Sequence, residues 1–325
     1  MRARIIGTGS AVPERVLTNS DLERMVETCD DWITTRTGIK ERRIAAEGEF
    51  TSTFATAAAR RALEMAAIDP ADLDLIICAT VTPDFPFPST ACIVQNNLGA
   101  RRAAAFDITA ACSGFLYGLS IADKFIRAGA AANVLVIGGE VLSRIVDWTD
   151  RNTCCLFGDG AGAVVVTGSE GASGILSTHI YSDGGYWDLL HQPGPGGRTP
   201  VSQHLLDSGL VFIKMQGNEV FKLAVRAMED AAQAALSENG YTVADLDYLI
   251  PHQANRRIID AIGKRLGLSG DKVFVNVDRY GNTSAASIPI ALDEANRAGI
   301  FKNDALVLLD AFGGGLTWAS VLMRW

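Results

Sequence analysis

The chain repeats one short pattern, and this internal duplication limits what it can fold into. Residues 71–77 read ADLDLII and residues 244–250 read ADLDYLI, so five of the seven positions match at an offset of 173 residues. Each copy follows a long alanine-rich stretch with helical spacing, at 51–67 and at 217–236. This recurrence of helix and strand predicts two related α/β halves, each a mixed sheet covered by helices.

The duplication continues beyond these copies. Two further pairs of segments match in the same order: 134–137 with 306–309, and 160–166 with 313–322. The boundary falls near residues 168–175, so we expect an N-terminal half, 1–170, and a C-terminal half, 171–325. A site at the pseudosymmetric junction would draw residues from both halves.

Composition excludes several classes of protein. The formal net charge of −8 and the lack of a basic run argue against nucleic-acid binding. No apolar run approaches the roughly 18 residues that span a membrane, and the glycine-interrupted first ten residues do not resemble a signal peptide. The six cysteines have no CxxC spacing and several lie in apolar runs, which predicts reduced thiols in a cytoplasmic protein.

Cys112 is the candidate nucleophile. It lies between the apolar run 104–108 and a segment with apolar residues at helical spacing, Phe115, Leu119, Ala122 and Ile126. We therefore expect the thiol at the N-terminus of a buried helix, where free N–H groups and the helix dipole favour the thiolate. The alternative is a small core residue, which is the ordinary role of a free cysteine.

His252 is the candidate acid–base or hydrogen-bonding group. It directly follows the apolar segment 246–250, and the ends of strands are where open α/β sheets place functional groups. Its counterpart in the first half is Ala79, so only one half carries an imidazole. A core histidine is the alternative.

The other three histidines lie in a segment rich in glycine and proline, 179–204, which predicts a long loop. These residues are His179, His191 and His204. No cysteine or carboxylate has ligand spacing with them, so we expect surface histidines and no metal site.

Asn282 is the third candidate. It lies in a turn of small residues that the repeat predicts to follow a strand and precede a helix, roughly opposite Cys112. Asparagine is also common in turns without any chemical role. The run Gly313–Gly315 adds exposed backbone N–H groups of the kind that bind an oxyanion.

These residues lie within motifs that resemble the β-ketoacyl-[acyl-carrier-protein] synthase III family, the thiolase-fold enzymes that initiate type II fatty acid synthesis. The resemblance covers essentially the whole chain, and its motifs are highly specific. They lie at 31–43, 110–115, 158–163, 251–255, 280–287 and 311–318. The resemblance implies an α/β thiolase-like fold with a five-layered αβαβα sandwich. The segment 191–204 looks longer than usual for the family.

The resemblance also implies a mechanism, a decarboxylative Claisen condensation. Cys112 would take the acyl group of an acyl-CoA, acetyl-CoA by expectation, with the oxyanion held by the N–H groups of Cys112 and Gly314. His252 and Asn282 would stabilise the enolate formed when malonyl-acyl carrier protein loses CO2. The enolate would attack the acyl-cysteine to give a β-ketoacyl-carrier protein, with no metal or redox cofactor.

Binding roles follow from the same resemblance. The implied CoA-binding residues are Thr28, Trp32, Arg36, Arg151, Gly217, Phe221 and Asn255. Arg257 is the first candidate for docking the acidic acyl carrier protein, with Lys222 and Lys264 behind it; a solvated helix face is the alternative. Family members are homodimers, and Phe87 is implied to reach the acyl pocket of the partner subunit.

Two other functions remain open at this stage. One is a related synthase that takes branched or longer acyl-CoA starters, and the other is a homologue that binds acyl-CoA or carrier protein without condensing them. The intact Cys112, His252 and Asn282 argue against the second. Elongating synthases carry a second histidine where Asn282 stands, and thiolases carry a second cysteine near the C-terminal glycine motif, which has none here.

Overall fold

The computed structural model describes residues 1–325 and contains thirteen strands and eleven α-helices. The strands are β1 (Arg2–Ala11), β2 (Val16–Thr18), β3 (Glu41–Arg43), β4 (Leu75–Ala79), β5 (Ala104–Ile108), β6 (Asn133–Glu140), β7 (Gly160–Ser169), β8 (Gly174–Ser182), β9 (Leu190–His191), β10 (Lys214–Met215), β11 (Tyr248–Pro251), β12 (Leu306–Gly313) and β13 (Thr317–Arg324). The helices are α1 (Asn19–Leu22), α2 (Asp30–Thr37), α3 (Thr51–Ala66), α4 (Thr90–Leu98), α5 (Gly114–Arg127), α6 (Arg151–Cys154), α7 (Gln203–Asp207), α8 (Gly217–Glu238), α9 (Arg256–Arg265), α10 (Val277–Tyr280) and α11 (Ser287–Arg297).

Each half of the chain builds one mixed sheet. The first sheet has the order β1-β7-β6-β4-β5, and the second has the order β11-β12-β13-β8. Strand β4 pairs in parallel with β5 and β6, and β11 pairs in parallel with β12, while the other pairs within both sheets are antiparallel. The central strands carry apolar residues on both faces, as strands do when helices cover a sheet on both sides.

Alternating side chains of these strands enter different cores and thereby define five layers. In β6, Val134 and Val136 pack in the core that contains α5 and α11, whereas Leu135 and Ile137 pack in the core of α3 and α4. In β12, the odd-numbered residues enter the same α5 and α11 core, and the even-numbered ones pack against α8 and α9. The layers are therefore outer helices, sheet, the pair α5 and α11, sheet, and outer helices.

The duplication seen in the sequence is a structural one. Adding 173 to the residue numbers at the two ends of β6 gives the two ends of β12. The same offset separates the first residue of α5 from the first residue of α11. It also relates two 3-10 turns, which we call the nucleophile turn (Ala111–Ser113) and the asparagine turn (Ser284–Ala286). Their first residues, Ala111 and Ser284, both have a positive φ, of 45° and 48°.

The strand predicted before Asn282 does not form. Only Val273 makes a parallel bridge, to Leu249, so the second sheet has one strand fewer than the first. The side-chain amide of Gln253 explains this difference. It donates to the carbonyl of Phe274 at 3.1 Å and accepts from the N–H of Asn276 at 2.9 Å, so it occupies backbone groups that a longer ladder would use.

The long loop predicted at 179–204 is also partly wrong, because His179 lies within β8. This histidine is buried, it is paired with Ser320 of β13, and its Nε2 lies 2.8 Å from the Ser177 hydroxyl. The strand carries polar residues on a half-buried face, which hid it among the loop residues that follow. His191 and His204 lie in the short elements β9 and α7. None of the helices combines the length and apolarity that crossing a membrane requires.

Candidate active site

Cys112 lies in the nucleophile turn, immediately before α5, as the sequence predicts. The turn is fixed from the C-terminal half: the Ser113 hydroxyl donates to the carbonyl of Thr317 at 3.0 Å. A methyl group at Gly313 would lie 2.6 Å from the backbone nitrogen of Cys112, so this contact requires glycine. Among the hydrogen bonds of the structure, none has the N–H of Cys112 or of Gly314 as donor, so both are available to an oxyanion.

The expectation of a resting thiolate is wrong for this environment. Cys112 is only 7% exposed, and burial raises the pKa of its thiol to about 12. The neighbouring Ser284 and the backbone of Cys112 itself oppose this rise, but desolvation is the larger effect. Cys112 is therefore a neutral thiol until a reaction removes its proton.

His252 follows β11, and its backbone N–H donates to the carbonyl of Asp310 at 2.8 Å. The side chain is 3% exposed, and its Nδ1 lies 2.6 Å from the hydroxyl oxygen of Ser287, the first residue of α11. Burial lowers the pKa of His252 to about 3, so the imidazole is neutral at physiological pH.

Asn282 is held by a bridge to Phe157 and by its N–H, which donates to the carbonyl of Leu156 at 2.8 Å. Its Oδ1 accepts from the N–H of Ser284 at 2.8 Å. The amide group is therefore oriented by the asparagine turn, and its Nδ2 is the atom that remains to donate a hydrogen bond.

These three side chains line a single cavity of about 770 Å³. Seven further residues proposed from the sequence line the same cavity: Trp32, Arg36, Gly217, Phe221, Lys222, Asn255 and Arg257. Five do not contribute to its lining: Thr28, Phe87, Arg151, Lys264 and Gly314. Gly314 nevertheless adjoins the turn, because a methyl group there would lie 3.7 Å from the side chain of Ala111.

Trp32 lies at the edge of this cavity with two guanidinium groups against its ring. The Cζ atoms of Arg36 and Arg151 lie 5.0 and 5.1 Å from the ring centroid. Arg151 also donates to the carbonyl of Glu27 at 3.2 Å. A planar ring inserted between Trp32 and one of these arginines would need a separation of two van der Waals contact distances, about 7 Å. That arginine would therefore have to move outward.

Several residues of the cavity escaped sequence reasoning. On α8, Val220, Ala224 and Met228 line it together with Gly217 and Phe221. Their helical spacing was visible, but such a face is indistinguishable from an ordinary core face in sequence. Ser287 and the fully buried Glu140 were also missed. The only signal for Glu140 was a carboxylate at the end of the apolar run 134–137.

The cavity wall contains a second thiol and a buried cation that the sequence did not single out. Cys155 lines the cavity, and its carbonyl accepts from Arg42 at 2.6 Å. Arg42 is fully buried, also donates to Asn19, and has no carboxylate partner. No group of three or more His, Cys, Asp or Glu side chains is placed to hold a metal ion.

Comparison with known proteins gives consistent results across the chain. The family model described as 3-Oxoacyl-[acyl-carrier-protein (ACP)] synthase III matches residues 106–184, and the model of its C-terminal part matches residues 236–325. Proteins named Beta-ketoacyl-[acyl-carrier-protein] synthase III are similar over nearly their full length. That of Caldanaerobacter subterraneus subsp. tengcongensis is 58% identical over 323 residues, covering 99% of this chain and 98% of the relative. That of Natranaerobius thermophilus is 56% identical over 326 residues, covering 99% of both.

Solved structures agree with these relatives. The crystal structure of 3-oxoacyl-[acyl-carrier-protein] synthase III from Aquifex aeolicus VF5 has a TM-score of 0.93 and 54% identity, and it covers 99% of this chain and 100% of that one. The corresponding Thermus thermophilus structure has a TM-score of 0.93 and 46% identity, with 99% of both chains covered.

The duplicated five-layer fold, with Cys, His and Asn around one cavity, defines a thiolase-fold condensing enzyme, which is an acyltransferase. Within that class, the chain belongs to the β-ketoacyl-[acyl-carrier-protein] synthase III family.

Proposed function

We propose that the enzyme transfers an acetyl group from acetyl-CoA to Cys112 and condenses it with malonyl-acyl carrier protein, releasing CoA and CO2. Membership of the family makes it the initiating condensing enzyme of fatty acid synthesis. The choice of starter and the role of each residue are the proposed parts. The observation that supports them is that Cys112, His252 and Asn282, which come from both halves, line one cavity.

In the first half-reaction, Cys112 attacks the thioester carbonyl of the acyl-CoA. The oxyanion rests on the N–H groups of Cys112 and Gly314, which have no acceptor within the protein. Each such donor is worth about 3 kcal/mol of transition-state stabilisation. CoA then leaves, so the kinetics are ping-pong.

In the second half-reaction, His252 and Asn282 donate hydrogen bonds to the thioester oxygen of the malonyl group. A neutral imidazole suits this task, because its N–H stabilises the enolate by a hydrogen bond but is too weak an acid to protonate it. The Ser287 hydroxyl has no acceptor other than Nδ1, so it donates to that nitrogen and leaves the hydrogen of His252 on Nε2. The enolate attacks the acyl group on Cys112, and the β-ketoacyl-carrier protein is released.

CoA would bind along the cavity with its adenine against Trp32, displacing Arg36 or Arg151 from the indole ring. Thr28 would contact the nucleotide end of CoA, because its hydroxyl is buried without a protein partner. Gly217, Phe221 and Asn255 would line the path of the pantetheine arm. No metal or redox cofactor takes part in this chemistry.

The acyl carrier protein would dock beside α8 and α9. Arg257 is exposed, forms no ion pair, and lies over the ring of Phe221 at 5.5 Å, at the rim of the cavity. Its neighbours Arg256 and Arg265 are already paired with Asp260 and Glu229. Lys222 is paired with Glu219, and Lys264 is exposed without an ion pair but lies off the cavity. Arg257 is therefore the first docking residue.

A homodimer is proposed on the edge of the first sheet. Strand β5 is hydrogen-bonded on one side only and is incompletely buried in the single chain. Phe87 is 85% exposed and Phe85 is 55% exposed, which is unusual for large apolar side chains without a partner. A second copy paired at this edge would cover both, and Phe87 would then reach the partner's acyl pocket. Sedimentation at micromolar concentration tests this; a monomer would refute it.

The function is tested by incubating the enzyme with acetyl-CoA and mapping the adduct by mass spectrometry. The expected result is an acetyl group on Cys112 that disappears when malonyl-acyl carrier protein is added. The Cys112→Ala variant should form no adduct and no condensation product. A panel of straight and branched acyl-CoA starters then decides between acetyl-CoA and longer or branched starters.

A further inference from the structure

Arg42, the middle residue of β3, is a completely buried cation that the mechanism above does not use. Its hydrogen bonds all end on neutral oxygens. Nη1 donates to the carbonyl of Leu17 at 3.2 Å and to Oδ1 of Asn19 at 2.8 Å, and Nη2 donates to the carbonyl of Cys155 at 2.6 Å. Burial lowers the pKa of this guanidinium to about 10, so it stays charged at neutral pH. A buried charge without a counterion is costly, so packing alone does not account for an arginine at this position.

The guanidinium holds one end of a short piece of the cavity wall, residues 155–159, which we call the wall segment. Its first residue, Cys155, accepts the hydrogen bond from Nη2 of Arg42. Its last residue, Asp159, is held by the backbone that follows Arg42. The N–H of Asp159 donates to the carbonyl of Arg43 at 2.9 Å, and its carboxylate accepts from the N–H of Ala45 at 2.8 Å. The chain around β3 therefore fixes the wall segment at both ends.

The wall segment in turn holds the backbone of Asn282. The N–H of Asn282 donates to the carbonyl of Leu156 at 2.8 Å, and its carbonyl accepts from the N–H of Gly158 at 3.0 Å. Arg42 lies against these same residues. A methyl group at Gly281 would lie 2.6 Å from the carbonyl oxygen of Leu156 and 3.3 Å from Cβ of Arg42. A shift of the wall segment would therefore move Asn282 as well.

Cys112 is held by a different part of the chain. The nucleophile turn is fixed by the hydrogen bond from Ser113 to the carbonyl of Thr317 and by its close contact with Gly313. These two partners belong to β13 and β12, and neither belongs to β3 or to the wall segment. The supports of the nucleophile and of Asn282 are therefore separate.

The shape of the guanidinium suits a residue that joins two parts of the chain. Nη1 reaches β2 and Asn19, while Nη2 reaches the wall segment, so one planar group connects them. A lysine ammonium donates from a single atom and cannot reproduce this fork.

We propose that Arg42 is a positioning residue for Asn282. By fixing the wall segment against β2 and β3, it sets the place from which the Asn282 amide donates to the thioester oxygen of the malonyl group. The inference rests on the role proposed above for Asn282 in decarboxylation. A displacement of about 1 Å in a group of this kind can lower a rate as much as 100-fold.

The test compares Arg42→Lys, which keeps the charge but loses the fork, with Arg42→Met, which loses both. We expect decarboxylation of malonyl-acyl carrier protein to fall at least about tenfold in each variant. Acetylation of Cys112 at saturating acetyl-CoA should stay within about threefold of wild type, because the supports of the nucleophile turn are untouched. Both rates are expressed per active site, counted by mass spectrometry as acetylated Cys112.

Hydrogen exchange adds a measurement that does not depend on activity. The amide hydrogens of Asn282 and Gly158 form the bonds between Asn282 and the wall segment. In Arg42→Met they should exchange about tenfold faster than in wild type, as expected for the loss of one hydrogen bond. The amide hydrogens of α5, behind Cys112, should keep their wild-type protection.

Arg43→Met is the matched control, because Arg43 is the next residue of the same strand. Its side chain donates to the carbonyl of Pro13 at 3.4 Å and lies 3.9 Å from the carboxylate of Glu41, and neither residue belongs to the wall segment. Both half-reactions and the exchange of the Asn282 amide should remain as in wild type.

Four results would overturn the proposal. The first is decarboxylation by Arg42→Met at the wild-type rate. The second is an equal fall of acetylation and decarboxylation together with loss of protection in α5, which would make Arg42 a general support of the fold. The third is wild-type behaviour of Arg42→Lys, which would assign the effect to charge instead of the fork. The fourth is failure of both variants to fold, which would also make Arg42 a general support.

The proposed function has a separate test. If Asn282→Ala decarboxylated malonyl-acyl carrier protein at the wild-type rate, the role of Asn282 would be refuted. The exchange of the Asn282 amide in Arg42→Met would still show whether Arg42 holds this residue in place, so the two failures are distinguishable.

Discussion

The hydroxyl oxygen of Ser287 lies 2.6 Å from Nδ1 of His252. The two residues come from different elements, the first turn of α11 and the residue after β11, and both are buried. Their hydrogen bond fixes the orientation of the imidazole ring and the nitrogen that carries its hydrogen. Ser287 is thus a positioning residue, while His252 is the group that would touch the substrate.

Removing this hydroxyl should separate the two half-reactions. In Ser287→Ala we expect the condensation rate to fall about tenfold, which is the loss of one hydrogen bond of about 1.4 kcal/mol. Acetylation of Cys112 should be unchanged, because that step does not use His252 in the proposed mechanism. Single-turnover measurements of each step check this, and Ser287→Thr should restore condensation. An equal fall in both steps would mean that the variant damages the cavity as a whole.

The buried imidazole should also make the fold sensitive to acid. The pKa of His252 is about 3 in the folded chain and 6.5 when unfolded, so below pH 6.5 the unfolded chain binds the extra proton. Stability is therefore lost as the pH falls from 6.5 toward 3, by about 1.4 kcal/mol per unit. Glu140 acts in the opposite direction between about pH 7 and 4.5, since its folded pKa is the higher one.

Urea unfolding of wild type and His252→Gln at pH 7.5 and 5.5 isolates the histidine. The contribution of Glu140 is present in both proteins and cancels in the comparison. Acidification should destabilise wild type by about 1.4 kcal/mol more than His252→Gln. The same sensitivity in both proteins would show that His252 is not held neutral by the fold.

Gly313 should tolerate no side chain. In Gly313→Ala the new methyl group would lie 2.6 Å from the nitrogen of Cys112, so the nucleophile turn must move and its N–H would no longer face the oxyanion. We expect acetylation to fall by about 100-fold or more, as when an oxyanion donor is lost. Gly270→Ala is the control, because nothing lies within 4 Å of its added methyl group. If Gly313→Ala were acetylated at the wild-type rate, the close contact between residue 313 and the backbone of Cys112 would be refuted.

Reversing one charge at the rim of the cavity should affect the carrier protein alone. In Arg257→Glu we expect the KM for malonyl-acyl carrier protein to rise about tenfold, with more effect at low salt. Acetylation by acetyl-CoA should stay near the wild-type rate. Arg265→Glu on the same helix serves as the control, since Arg265 is paired with Glu229. If KM did not change in Arg257→Glu, docking would involve a different surface.

The amino-acid sequence by itself determined the duplication, the position of Cys112 before a helix, and the strand end that carries His252. These are local or repeated patterns, and they persist because periodicity and turn chemistry are properties of neighbouring residues. The motifs extended the interpretation to the family and to ten of the 27 residues that line the cavity. Two features misled this interpretation. The polar residues on the half-buried strand β8 resemble those of a loop. The side-chain amide of Gln253 replaces backbone hydrogen bonds that the predicted strand would have made.

Only the tertiary structure decided the protonation states of the site residues and the contacts that hold these residues in place. Burial is set by residues distant in sequence, so neither the neutral thiol of Cys112 nor the neutral imidazole of His252 could be predicted from adjacent residues. Likewise, Gly138 and Ala285 are far apart in the sequence, and nothing local connects them. They touch because the two halves bring the end of β6 against the asparagine turn, where glycine at position 138 leaves room for the carbonyl of Ala285.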